Sequence, residues 1–229
     1  MAPDGDSQAA SSTVTLTVDD QPIRAAAGSS VLAACLAADI YIPHLCWLEG
    51  DTADAAPAAC RLCFVEIDGF GEPVAACTVP VEAGMTVRSA TEAVRRLQRT
   101  ALKLLLSVHR VACKRCPADK ACGLQDIAKF LGVGLNAKPF ERVLKEPEVD
   151  ASHPLFDYYP NRCVCCGICV RVCRRQASGH RLSFAGRGFD TVVGCYDTDG
   201  MATADCASCR ACLAACPTGA LVERPVAGA

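Results

Sequence analysis

The chain has 229 residues, 18 of them cysteine, with 51% apolar residues and a formal net charge of −2. So slight a charge argues against a nucleic-acid binder, and a chain this long and apolar buries ordinary cores without the disulfides a small secreted domain needs. The opening "MAPDGDSQAASSTVTL" has neither a basic n-region nor an apolar h-region, and "VLAACLAA" is too short to span a bilayer; the expected setting is cytoplasmic and reducing, where crowded cysteines read as metal ligands.

Residues 1–12 are small and polar and are expected to be a disordered N-terminus. "TVTLTVDDQPIRAAAG" alternates as two strands around a turn at Asp19 and Asp20, and "SSVLAACLAADI" follows as a short helix capped by Ser29 or Ser30. Further strands around Gly-rich turns fill "CFVEIDGFGEPVAACTVPVEAGMTV", so residues 13–88 suit a small β-grasp domain. In "SATEAVRRLQRTALKLLLSVHR", Ser89 and Glu92 spell a capping box, and Val94, Leu97, Ala101, Leu105 and Val108 keep helical spacing. That helix delivers His109 and Cys113, and "GLQDIAKFLGVG" is a shorter helix closing a small helical domain at 89–135. Residues 136–160 carry four prolines and read as a linker or wrapping segment; 161–223 hold two dense cysteine runs, and 224–229 form a tail.

Cys163, Cys166, Cys169 and Cys173 are spaced C-x2-C-x2-C-x3-C, and Cys206, Cys209, Cys212 and Cys216 repeat the spacing, with Pro217 closing the second run. This is the bacterial ferredoxin arrangement for two [4Fe-4S] clusters, in which each fourth cysteine crosses to the other cluster. One cluster is therefore assigned Cys163, Cys166, Cys169 and Cys216, and the other Cys173, Cys206, Cys209 and Cys212. Paired zinc knuckles use two CxxC pairs rather than interlocked triples. Cys165 falls off the register. Cys46, Cys60, Cys63 and Cys77 give C-x13-C-x2-C-x13-C in a β-rich stretch, which suits a [2Fe-2S] cluster, with structural zinc the alternative and a longer first loop than plant-type ferredoxins have. His109, Cys113, Cys116 and Cys122 spell H-x3-C-x2-C-x5-C, in isolation a zinc set, but beside three cluster motifs a His-ligated [4Fe-4S] centre. Cys35 and Cys195 are expected to be buried thiols.

"YIPHLCWLEG", "ACRLCFVEI", "AACTVPVEAGM", "HRVACKRCPADKACGLQD", "SHPLFDYYPNRCVCCGICVRVC" and "CASCRACLAACPTGAL" together resemble one family across residues 13–223. It comprises the N-terminal part of the large iron–sulfur subunit of respiratory complex I and the accessory domains of [FeFe] hydrogenases. The likeness is greatest to the small iron–sulfur subunit of the diaphorase in NAD-coupled bidirectional [NiFe] hydrogenases. Cys165 and Cys195 match no ligand of that family. The expected fold class is α+β: a [2Fe-2S] β-grasp domain, a small helical His-ligated [4Fe-4S] domain and a two-cluster [4Fe-4S] ferredoxin-like domain.

No nucleotide site competes. "GVGLNA" at 132–137 follows a helix rather than a strand, and no Walker A, HExxH or Ser-His-Asp arrangement is present. Clusters move single electrons, so hydride chemistry falls to a partner. The resemblance implies a relay between an FMN/NAD(H)-binding diaphorase subunit and a hydrogenase small subunit or other catalytic module. An NAD-dependent formate dehydrogenase or electron-bifurcating complex is the redox alternative, and a zinc-rich scaffold the non-redox one. Basic residues flank every motif: Arg61; Lys114 and Arg115; Arg162, Arg171, Arg174 and Arg175; Arg210. Singly each reads equally as an ordinary solvated cation; as a set they are expected to offset cluster charge or dock an acidic partner surface.

Overall fold

A computed structural model describes residues 13–153, 155–176, 181–195, 206 and 209–224; the expected disordered N-terminus and nearly all of the expected tail lie outside them. The chain divides into two units, one of Met1–Ile42, Glu49–Ala56 and Cys63–Val94, the other of Pro43–Leu48, Pro57–Leu62 and Arg95–Ala229.

In the first unit, β1 (Thr13–Val18) and β2 (Gln21–Ala26) form an antiparallel hairpin with Leu16 opposite Ile23. Asp19 and Asp20 make the turn with φ of 45° and 67°, the positive pair a two-residue hairpin needs to match strand twist. The Asp19 carboxylate then accepts hydrogen bonds from the Ser89 amide (2.8 Å) and hydroxyl (2.5 Å), tying the turn to the far end of the unit. The helix α1 (Val31–Ala37) starts at Ser30, whose hydroxyl accepts from the Ala33 amide. The sheet is completed by β3 (Phe64–Ile67), β4 (Val74–Ala75) and β5 (Thr86–Arg88) in the order β2-β1-β5-β3-β4, with β1 and β5 parallel. Alternation sends Leu16, Val18, Ile23, Val65 and Val87 inward, where they are buried with Val31 and Leu32 of α1.

Cys35 is fully buried on α1, as expected; burial first, and then the negative charge of Asp19, push its thiol up to about 12. Alkylation of the native protein at pH 8 should leave Cys35 unmodified until denaturation, which peptide mapping by mass spectrometry reads directly. Because the folded value is raised above the ordinary 9.0, the thiol's contribution to stability is intact below about pH 9 and is lost as pH rises towards 12.

The second unit takes over α2 (Glu92–Ser107) after its first turn. The helix does not use the expected capping box: Thr91 accepts from the Val94 amide, because Ser89 is committed to Asp19. Val94 and Ala101 are buried as expected, but Gln98, Leu102 and Leu106 complete the inward stripe while Leu97, Leu105 and Val108 are half-buried. Gln98 is fully buried because its carbonyl accepts from Arg95, so a polar residue occupies a position that apolar periodicity assigns to Leu97. The helix α3 (Gly123–Leu131) ends at Gly132, whose φ of 64° supplies the left-handed cap. Leu124, Ile127, Ala128 and Leu131 of α3 pack with the α2 stripe, Leu62, Val164 and Ile168 in one core.

The proline-rich segment wraps rather than dangles. The Val143 amide bonds to Ser107 O (2.9 Å), and the buried Asn161 side chain holds both the amide (2.7 Å) and the carbonyl (2.9 Å) of Lys145. Beyond it, β6 (Phe156–Tyr158) pairs antiparallel with β9 (Leu221–Glu223), so the end of the domain returns to its beginning. Between them lie α4 (Ile168–Arg175), the hairpin of β7 (Leu182–Ala185) and β8 (Val192–Cys195), and α5 (Ala211–Ala214). A second core joins Phe156, Tyr158, Val170, Leu182, Val193 and Leu221. Cys195 corrects the expectation of a buried thiol: it is exposed at the end of a two-stranded hairpin, beyond the buried Val193. No helix among the described residues is long and apolar enough to cross a membrane.

Candidate iron–sulfur sites

Cys163, Cys166, Cys169 and Cys216 line one cavity, together with Tyr158, Val164, Gly167, Val193, Pro217, Thr218, Ala220 and Leu221. The first three arrive on a turn and the first helical turn of α4, reached through Gly167 at φ 74°. Cys216 comes from the end of α5, brought over by the β6–β9 pairing. Cys165 is not in the lining: its φ of 51° turns it aside, and its sulfur lies 3.5 Å from the Thr191 carbonyl on the β7–β8 side. Two backbone amides already point at the ligand sulfurs, Ala220 N to Cys216 Sγ (3.3 Å) and Cys165 N to Cys163 Sγ (3.4 Å). Burial pushes the Cys166 thiol up to about 12 and Cys169 upward as well. A bound cation must therefore displace protons that the apolar wall retains.

A second cavity is lined by His109, Cys113, Cys116 and Cys122, with Ala118, Gln125, Arg162 and Thr218 among its other walls. His109 ends α2 and is 8% exposed, yet its Nδ1 has no hydrogen-bond partner among the described residues. Such an orphan costs free energy unless something supplies a partner. Burial is the main cause that holds the ring down to about 4; the Arg162 backbone hydrogen bond opposes it, and the nearby Arg162 and Arg142 charges add to the lowering. The imidazole is therefore neutral near pH 7, the form that ligates a metal. Burial likewise raises Cys122. Gly219 comes close to two of its walls: at φ 64°, a Cβ there would stand 2.7 Å from Ala118 Cβ and 3.4 Å from Cys116 Sγ.

Of the remaining sets, Cys212 on α5 lies within electrostatic reach of Cys173 and Cys209; burial is the first cause raising its thiol to about 11, and Cys173 the second. Cys206 is half-buried and Cys209 exposed. Cys46 and Cys60 belong to the second unit, their sulfurs 3.5 Å apart; the hydrogen bond from Cys46 holds Cys60 down to about 7 and raises Cys46. Cys63 and Cys77 belong to the first, where the Cys63 carbonyl accepts from the Ala76 amide (2.8 Å) and both residues are buried. All 18 cysteines fall among the described residues, and none forms a disulfide. Nor, among the described residues, do three His, Cys, Asp or Glu side chains converge on one point as a single metal ion requires.

The basic neighbours are partly committed within the second unit. An Arg171 amino group donates to the Cys46 carbonyl, Arg210 pairs with Glu223, and Arg162 lies 3.8 Å above the Tyr159 ring. Spacing gave no sign that Thr218 and the Ala220 amide, two and four residues past Cys216, approach its sulfur, or that Tyr158 lines the same cavity.

Residues 11–92 match the family described as a 2Fe-2S iron-sulfur cluster binding domain. The chain is 33% identical over 212 residues to the NADPH-Fe(3+) oxidoreductase subunit alpha of Geobacter sulfurreducens, covering 93% of this chain and 24% of that protein. It is also 33% identical over 215 residues to the NADP-reducing hydrogenase subunit HndD of Solidesulfovibrio fructosivorans, covering 93% and 36%. It thus spans about a quarter to a third of the length of these curated relatives. Among solved structures, a chain of the NAD+-reducing [NiFe]-hydrogenase in its H2-reduced state superposes with a TM-score of 0.81 at 32% identity, over 94% of this chain and 89% of that one. With its extent matched almost end to end there, and its first domain matched as a 2Fe-2S fold, the chain belongs to the family of iron–sulfur electron-transfer subunits of NAD-linked oxidoreductases.

Proposed function

We propose that the chain relays single electrons between an FMN/NAD(H)-binding subunit and a catalytic module, with the small subunit of a [NiFe] hydrogenase as the favoured acceptor or donor. Residues 13–88 would form the [2Fe-2S] β-grasp domain, with ligands Cys46, Cys60, Cys63 and Cys77. Residues 89–135 would form the His-ligated [4Fe-4S] domain with His109, Cys113, Cys116 and Cys122. Residues 161–223 would form the ferredoxin-type domain, one [4Fe-4S] cluster on Cys163, Cys166, Cys169 and Cys216 and the other on Cys173, Cys206, Cys209 and Cys212. The observation that carries this is the cavity shared by Cys163, Cys166, Cys169 and Cys216: the fourth donor comes from the other motif, as a crossed-over pair of cubanes demands. The orphaned Nδ1 of His109 among three thiols supports the second set.

Bound clusters supply one-electron oxidation and reduction. The chain's own contribution is to fix thiolates and one imidazole, exclude water with Leu, Val and Ala walls, and aim backbone amides at ligand sulfurs. The hydrogenase assignment rests on the near end-to-end match to a chain of the NAD+-reducing enzyme. Anaerobically purified alone, the chain should be brown, EPR-active on reduction and unable to oxidise NADH. With a flavoprotein partner co-expressed, NADH should reduce its clusters. Stoichiometric zinc in place of iron would overturn the relay, and co-purification with a formate dehydrogenase would replace the hydrogenase as partner.

A further inference from the structure

We infer that Tyr158 tunes the centre assigned to Cys163, Cys166, Cys169 and Cys216: its hydroxyl donates a hydrogen bond to the Cys163 sulfur and raises the centre's reduction potential. This rests on the ligand set proposed above. Tyr158 lies on β6, is 5% exposed and forms part of the cavity wall with the four thiols. The amide of Val193, on β8, donates to its hydroxyl oxygen at 3.1 Å in buried surroundings. A phenol carries one proton and two lone pairs, so an oxygen already accepting from an amide still has its own hydrogen to place. Cys163 stands with it on the same cavity wall and in the same core, and its sulfur is the acceptor this reading gives that hydrogen. The ring cannot swing away, because the Tyr158–Leu221 pairing fixes the backbone and the second core encloses the side chain.

Reduction adds negative charge that the cluster spreads onto its thiolates. A donor fixed at one sulfur therefore stabilises the reduced state more than the oxidised one, and burial strengthens the effect. Tyr158 acts through Cys163 and is a positioning residue rather than a catalytic one. A purely structural tyrosine would fill the same space, and loss of its hydroxyl would leave every potential where it was.

The test uses the full chain, purified anaerobically, with iron analysis and a redox titration followed by EPR. Tyr158→Phe should keep full iron content and lower the midpoint of one [4Fe-4S] signal while the other signals hold still. Replacing Tyr158 by 3-fluorotyrosine, whose more acidic hydroxyl is the stronger donor, should move the same signal upward. This second variant decides the matter where the Phe variant loses its cluster. Midpoints unmoved in an iron-replete variant overturn the role of Tyr158 alone, whereas an unmodified chain without iron overturns the ligand set with it.

Discussion

Cys166→Ser should lower the iron content of the anaerobically isolated chain from about 14 atoms towards about 10, as one cubane is lost or converted, while Cys165→Ser should leave about 14. The two residues are adjacent, so the contrast isolates geometry from composition. Cys166 gives two-residue gaps on both sides and is part of the cavity wall with Cys163, Cys169 and Cys216. Cys165 stands in left-handed backbone with its sulfur beside the Thr191 carbonyl. Burial holds the Cys166 thiol at about 12, so in the empty chain it is protonated, and loading must release that proton. Serine at that position ionises far less readily and would not stand in for the thiolate. Cys216→Ser, in the other motif, should abolish the same EPR signal as Cys166→Ser. Loss of two different signals would mean that each motif serves its own cluster without crossing over, and iron loss in the Cys165 variant would mean that the register is shifted.

The sequence made the first unit legible because its determinants are local. The Asp19–Asp20 turn, the Ser30 cap and the alternation of Leu16 and Val18 each lie within a few residues of what they control. Cysteine spacing was legible for a related reason: a cubane demands three donors on one tight loop, and that demand is written in gaps of two. What stayed hidden is whatever depends on distant strands meeting. Ser89 reads as a helix cap until the Asp19 carboxylate takes both its donors, and the helix then starts at Thr91. Apolar periodicity places α2 with Leu97 inward; the observed face is turned towards Gln98, whose carbonyl Arg95 satisfies, a trade between polar partners that a hydrophobic pattern does not register. Tyr158 stands only five residues before Cys163, but cysteine gaps do not say which way its ring faces; its strand β6 is held by pairing with β9, more than sixty positions along the chain. Cys195 looked like a buried thiol from its apolar neighbours, but it is exposed at the end of a hairpin that, among the described residues, has only two strands.

His109→Cys should retain a [4Fe-4S] cluster and lower its potential, and His109→Ala should lose that cluster and about four iron atoms with it. A lone histidine at a helix end is usually a solvated or capping residue, and when charged it favours the last carbonyls. That role is closed here: burial, with the charges of Arg162 and Arg142 adding to it, holds the ring at about 4, so at neutral pH it carries no positive charge to offer the helix end. What it does offer is an uncharged ring nitrogen, buried and without a partner, on the wall of a cavity whose other donors are Cys113, Cys116 and Cys122. A neutral imidazole in place of a thiolate removes one negative charge from the cluster's immediate surroundings, so an added electron meets less repulsion, as in the high potentials of His-ligated Rieske centres. Cysteine restores that charge and makes reduction harder; alanine leaves an iron with three protein donors in a cavity whose wall has been cut back. A redox titration followed by EPR measures the first variant and iron analysis the second. A midpoint in the Cys variant equal to that of the unmodified chain, with full iron in the Ala variant, would remove His109 from the ligand set and leave its orphaned nitrogen to be explained some other way.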